Sequence, residues 1–365
     1  MREVVQRDPD AYTSGGTPVC IDEYQHVPEI LDAIKAELNR DLRPGRYILT
    51  GSTRYDALPL AAQSLTGRLH RLPVLPLSQG EIDGVHENLL EVLLTAPHAV
   101  ATKAPSTTSK DEYIERVVAG GMPIALQRTS TASRERWFDD YVQLVLDRDL
   151  REVANVRQRE QLPTLMRRLA SQTAQVLNVA QAGEGLGINR TTTSGYVRHL
   201  EDVFLIRRLE AWGRTLRARV AGTPKVHVID SGIAARLLRL RPDKLTRRDP
   251  ASLTEFGHLL ETFAVGELIK QGSWLDDVSG YGHWRTHDGD EVDLVIEGGD
   301  GSVVAFEVKT AGRVPGSDMR SLTRLRDIVG EAFVAGVALY TGERSYQFDD
   351  RLWVLPLDRL WTPIS

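Results

Sequence analysis

The densest candidate chemistry in the sequence lies between Glu291 and Lys309. It comprises the run Glu291-Val292-Asp293-Leu294-Val295-Ile296, a glycine-rich turn at Gly298-Gly299-Asp300-Gly301, and Val303-Val304-Ala305-Phe306-Glu307-Val308-Lys309. Apolar runs on either side of clustered glycines predict a β-hairpin. Centring the hairpin on Asp300 sets Asp293 opposite Glu307, and directly opposed residues point to the same face. Lys309 follows Glu307 by two residues and shares that face. Two close carboxylates repel unless a cation joins them, and hard Mg²⁺ or Mn²⁺ takes oxygen ligands of this kind. Such an ion could activate water and steady the developing charge of a phosphodiester, with the Lys309 ammonium adding a second positive charge. A surface ion pair between Glu307 and Lys309 would use the same residues and contribute little.

A second set of polar residues ends two short apolar runs near the N-terminus. Pro18-Val19-Cys20-Ile21 runs into Asp22-Glu23, and Tyr47-Ile48-Leu49 runs into Thr50-Gly51-Ser52. Between them Ile30, Leu31, Ile34 and Leu38 keep a helical period before a Pro44-Gly45 break. Strand, helix and strand, with polar residues at both strand ends, predict a parallel α/β unit with buried strands. Taken alone, Asp-Glu after an apolar strand also suits a helix N-terminus, which favours acids.

The elements that must position these residues occupy a chain of 365 residues, 41% hydrophobic and 26% charged. That length predicts two or three domains, and the composition excludes a disordered, collagen-like or coiled-coil chain. No apolar run approaches the ~18 residues of a bilayer span, and the first residues lack a signal-peptide segment. The single cysteine, Cys20, excludes an intrachain disulfide and a cysteine zinc cluster, and a cytoplasmic location is expected.

Charge is unevenly spread. Residues 189–248 carry 14 Lys/Arg against 5 Asp/Glu, whereas residues 251–365 carry 10 against 19. A basic centre beside acidic flanks suits contact with an anionic surface, although a solvated Arg-rich face reads the same way. Across residues 160–228 a short helix beginning at Val176-Leu177-Asn178-Val179-Ala180, a turn over Gly183–Gly187, and a second helix capped by Asn189 predict a helix-turn-helix. The strands Leu205–Trp212 and Lys225–Val228 would form a wing. Arg190 and Arg198 on the second helix, and Arg214, Arg217 and Arg219 around the wing, are the candidate DNA contacts. Residues 91–159 read as helical, with Ala101–Lys110 as the best linker.

Asp293 and Glu307-Val308-Lys309 resemble the Asp…Glu-X-Lys core of PD-(D/E)XK nucleases. Glu261 resembles the helical glutamate that often joins that site, with Glu267 as its competitor. The whole chain resembles bacterial and archaeal AAA-type ATPases with a C-terminal domain of unknown function. The stretches that carry this likeness are Val19–Glu29, Tyr47–Ser52, Leu65-Thr66-Gly67-Arg68, Arg148-Asp149-Leu150, Val228–Gly232 and His283-Trp284-Arg285.

The resemblance implies ATP and Mg²⁺ as ligands. Asp22 would be the Walker B acid that holds Mg²⁺, and Glu23 the base that orients water. Thr50 or Ser52 would be the polar sensor and Arg68 an arginine finger. It also implies Mg²⁺ or Mn²⁺ at Glu261, Asp293 and Glu307. The sequence departs from the family in one respect: it holds no Gly-Lys dipeptide, so the phosphate loop is missing, and Met1 falls 21 residues before Asp22.

The expected fold is therefore multidomain α/β. Its segments would be a truncated AAA-type P-loop domain (1–90), a helical linker (91–159), a winged helix (160–248) and a PD-(D/E)XK-like domain (249–365). The expected function is that of an ATPase-like protein acting on nucleic acid, with nucleotide binding impaired. The alternatives are a metal-dependent DNA nuclease with a scaffold ATPase half, and a non-enzymatic DNA-binding or regulatory protein.

Overall fold

A computed structural model describes all residues except 1, 55–64, 66, 102–103, 150–157, 214, 216–221, 247–249 and 365. The chain is α/β and forms two compact units that interleave along the sequence. The first comprises residues 1–73, 141–164 and 183–205, and the second comprises residues 74–140, 165–182 and 206–365.

In the first unit, β1 (Val19–Ile21) pairs in parallel with β2 (Tyr47–Leu49), and Cys20 stands opposite Ile48. The crossover between them is α1 (Ile30–Arg40), as a parallel pair requires. Its Ile30, Leu31 and Ile34 are buried with Ile21, Tyr24 and Val27. The strands were expected to be buried on both faces. Instead Cys20 is exposed and Ile48 is 56% exposed, because α1 covers only the face carrying Ile21.

The same unit contains α2 (Arg190–Asp202), whose N-terminus is satisfied by Asn189: its Oδ1 accepts from Thr192 N at 2.8 Å. Thr193, Tyr196, Val197 and Leu200 are buried on one side of α2, the spacing of a single helical stripe. Gly183 lies close to this side. A Cβ there would stand 2.4 Å from Thr193 Oγ1, so the preceding turn requires a residue without a side chain.

The second unit holds two sheets. In the smaller, β3 (Gln175–Val176) and β4 (Ile206–Leu209) flank β5 (Lys225–Val228), both antiparallel to it. All four residues of β5 are buried. The helices α3 (Ser231–Leu237) and α4 (Pro250–Ser273) follow.

The larger sheet contains β6 (Val278–Arg285), β7 (Glu291–Gly298), β8 (Val303–Lys309), β9 (Phe333–Tyr340), β10 (Tyr346–Asp349) and β11 (Leu352–Pro356). Their order is β10-β11-β9-β8-β7-β6, with β9 parallel to β8 and β11 and the other pairs antiparallel. The parallel step from β8 to β9 runs through α5 (Arg320–Val329), which packs Leu322 and Leu325 against Val303, Ala305 and Val295.

The stretch expected as a linker is anchored at its C-terminal half. Ser106 is buried and donates to Asp358 Oδ2, and Thr108 Oγ1 donates to the same oxygen at 2.9 Å. Its Pro, Ser and Thr content reflects an extended segment satisfied by side-chain hydrogen bonds, not a free tether. No helix among the described residues is long and apolar enough to cross a membrane.

Candidate functional site

The hairpin of β7 and β8 has the register that centring on Asp300 requires. Leu294 stands opposite Phe306 and Val295 opposite Ala305, so the next pair outward is Asp293 and Glu307. Both carboxylates thus lie at the end of the hairpin away from the glycine turn, beyond an apolar face. Asp293 is 6% exposed and Glu307 9%. Lys309 donates to Glu307 Oε1 at 2.8 Å, and Asp293 Oδ2 accepts from Val308 N at 2.9 Å.

Three further residues that sequence reasoning did not place in the site complete the cluster: Lys225, Glu291 and Arg285. Lys225, on β5, has its ammonium 2.7 Å from Glu261 Oε1, 2.6 Å from Glu291 Oε1 and 3.1 Å from Asp293 Oδ1. Arg285 stands 3.9 Å from Glu291 on its outer side. Glu291 was legible in principle, because it lies two residues before Asp293 on the same strand and shares its face. Lys225 was legible only as a cation opening an otherwise apolar strand. Its partners lie 36 to 68 residues away, beyond any local spacing rule.

Glu261, and not Glu267, belongs to this cluster. Glu267 accepts from Gln79 N at 2.7 Å and from Lys270 at 2.6 Å, as a structural pair.

Burial and the neighbouring Asp293 charge push Glu307 up to about 8, against the opposing pull of Lys309. Burial, with Asp293 again second, also holds Glu261 well above the ordinary carboxylate range. Burial pulls Lys225 down, but Asp293, Glu261 and Glu291 more than offset it and leave Lys225 well above its ordinary value. Lys225 is thus an ammonium held in a carboxylate cage. Burial drives the nearby His227 well below its ordinary value.

The divalent ion that the nuclease resemblance implies can be tested against these donor atoms. Asp293 Oδ1 and Glu261 Oε1 face the Lys225 ammonium, Asp293 Oδ2 takes a backbone N–H, and Glu307 Oε1 takes Lys309. The fully buried Glu307 Oε2 lacks a hydrogen-bond partner. Among the described residues no group of three or more His, Cys, Asp or Glu is arranged to hold a metal ion. As placed, the residues do not fit a divalent ion, because an ammonium already fills the position between the carboxylates.

At the C-terminal ends of β1 and β2, Asp22 accepts from Thr50 Oγ1, and Glu23 accepts from Gln25 Nε2, which also reaches Ser52 Oγ at 3.3 Å. Asp22, Glu23, Thr50 and Ser52 are therefore brought together where parallel α/β sheets place their ligands. Asp22 is exposed there, and Glu23 holds a left-handed backbone conformation with φ 52°. Arg68 is placed elsewhere, donating to Asn39 Oδ1 at 2.6 Å near the C-terminal end of α1. On α2, Arg190 and Arg198 are exposed. Arg214, Arg217 and Arg219 lie outside the described residues.

Comparison with known proteins matches three separate stretches of the chain. Residues 2–83 match the AAA domain family. Residues 110–244 match one domain of unknown function (DUF8612), and residues 256–360 another (DUF4143). The chain is similar to AAA-type ATPases with a C-terminal domain of unknown function.

Two mycobacterial relatives, uncharacterized proteins Mb2031c of Mycobacterium bovis and Rv2008c of Mycobacterium tuberculosis, are each 24% identical over 346 residues. Those residues span 94% of this chain and 69% of each relative. The crystal structure of protein VC1899 from Vibrio cholerae aligns over 92% of this chain and 78% of its own. Its 11% identity and TM-score of 0.25 support no argument about fold or function. The AAA family match makes ATP with Mg²⁺ a plausible ligand pair.

Proposed function

We propose that this AAA-like chain acts on nucleic acid through α2, with its nucleotide-binding part impaired within these 365 residues. The observation that carries the reading is the outer face of α2. Arg190, Thr191, Ser194 and Arg198 are all exposed on the side opposite the buried Thr193, Tyr196, Val197 and Leu200. Neither arginine makes an ion pair among the described residues. Two uncompensated cations beside hydroxyl donors form a surface suited to phosphate oxygens.

Phosphate contacts release counterions, so binding of a labelled DNA duplex followed by fluorescence anisotropy is expected to weaken steeply as salt rises. Arg190→Ala with Arg198→Ala is expected to weaken binding and to flatten the log–log salt slope by about 2, one unit per lost contact. Absence of duplex binding at low salt, or an unchanged slope in the double variant, would overturn the reading.

The nucleotide half leads to a separate expectation. Asp22 and Glu23 are gathered with Thr50 and Ser52, but no Gly-Lys of a phosphate loop exists in the sequence to face them. Calorimetric titration of this chain with ATP and Mg²⁺ is expected to show no saturable binding in the micromolar range. Micromolar affinity would show that another segment cradles the phosphates.

A metal-dependent nuclease is the second reading, favoured by the shared face of Asp293, Glu307 and Lys309. Its chemistry would require the Lys225 ammonium to leave the carboxylates.

A further inference from the structure

The cluster around Lys225 carries more than its failure to fit a metal. An ammonium has three N–H donors and no acceptor. Here three carboxylate oxygens, from α4 (Glu261) and β7 (Glu291 and Asp293), stand within 3.1 Å of it. It donates to Glu261 and Asp293 and is ion-paired with Glu291, so carboxylates face it from two elements. The side chain is 1% exposed and starts from a strand paired on both edges, with Lys225 opposite Leu209 on β4 and Val176 on β3. The cation is therefore fixed in the fold and cannot simply exchange with solvent.

We infer that Lys225 is a built-in substitute for a divalent cation: its ammonium joins Glu261, Glu291 and Asp293 and keeps metal out of the nuclease-like cluster. The cations are already placed against the acids. Those three carboxylates face Lys225 inside and Arg285 outside, while Glu307 is held by Lys309. A divalent ion entering this set would be repelled by an ammonium it could not displace into water. Glu307 Oε2, buried and without a hydrogen-bond partner, is a donor left over, and it could serve a metal only once the ammonium is gone.

The test is Mn²⁺ titration of the full chain, by calorimetry and by the loss of free-ion electron paramagnetic resonance signal. The wild type is compared with Lys225→Met, which keeps much of the stem and removes the charge. The variant is expected to take up one Mn²⁺ per chain roughly tenfold or more tighter than the wild type, and Asp293→Asn is expected to abolish the gain. Mn²⁺ should also raise the melting temperature of Lys225→Met and not that of the wild type, since an ion bound only by the folded state stabilises it.

Exposed carboxylate repulsion could prevent Lys225→Met from folding. Lys225→Gln combined with Glu291→Gln removes one negative charge and supplies amide donors, and it is expected to show the same gain. Tight, Asp293-dependent Mn²⁺ binding by the wild type would overturn the inference, as would a folded variant of either kind with no gain. Duplex binding through α2 does not enter these readouts, so the two proposals fail separately.

Discussion

Replacing Asp230 by alanine is expected to lower the unfolding free energy of the second unit by about 3–5 kcal/mol, the scale of an emptied buried acceptor site. Asp230 is 4% exposed, and its two oxygens serve different elements. Oδ1 accepts from Ile233 N at 3.1 Å and so caps α3, while Oδ2 accepts from Gly121 N at 2.7 Å. Alanine removes the cap, worth about 1 kcal/mol, and strands a buried N–H that has no water to turn to.

The packing leaves no room for a bulkier repair. Gly120 has φ +68°, and a Cβ there would stand 2.3 Å from Asp230 Oδ1. Asp230→Asn keeps one acceptor and is expected to cost markedly less than Asp230→Ala. Urea unfolding followed by tryptophan fluorescence checks this cleanly, because Trp137, Trp212, Trp274, Trp284, Trp353 and Trp361 all lie in the second unit. A loss below about 1 kcal/mol, the value of the cap alone, would show that Gly121 finds another acceptor.

Asp230 also illustrates which parts of this protein the sequence makes legible. Val228-Ile229-Asp230-Ser231-Gly232 stands out as a motif, yet its carboxylate does no visible chemistry. It ties a helix N-terminus to a glycine 109 residues earlier in the chain. Local signals were readable where local physics decides. The apolar period of Ile30, Leu31 and Ile34 marks α1, Asn189 marks the start of α2, and the glycines around Asp300 set the β7–β8 register.

The sequence is silent where the third dimension decides. The exposed strand Tyr346–Asp349 has no buried alternation to betray it, since all four residues are exposed. Lys225 belongs to a β-strand that reads as part of a basic wing, and its role depends on α4 and β7 arriving beside it. The expected site contained Glu261, Asp293, Glu307 and Lys309. The structure supplies Lys225 and Glu291, and with them the reason a metal does not fit.

Glu307 gives the cluster a signature in pH. Its folded-state value is pushed from 4.5 up to about 8, by burial first and by Asp293 second. Between those values the folded chain keeps a proton that the unfolded chain has released, so stability falls as pH rises from about 5 to about 8. At about 1.4 kcal/mol per unit, the full window corresponds to roughly 5 kcal/mol, an upper bound because Glu307 sits among interacting charges.

Buried His227 acts in the opposite direction. It is held well below 6.5, so the unfolded chain binds the extra proton and stability falls as pH drops below that value. The wild-type profile therefore mixes these effects with those of Glu261 and the other shifted groups, and the informative quantity is its difference from Glu307→Gln. Glutamine keeps the neutral shape and an acceptor for Lys309 while removing the titration. Glu307→Gln is expected to match the wild type near pH 5 and to exceed it by several kcal/mol at pH 8, read from urea midpoints at each pH. Parallel profiles for the two proteins would mean that Lys309 alone keeps Glu307 ionised and that Asp293 does not oppose it.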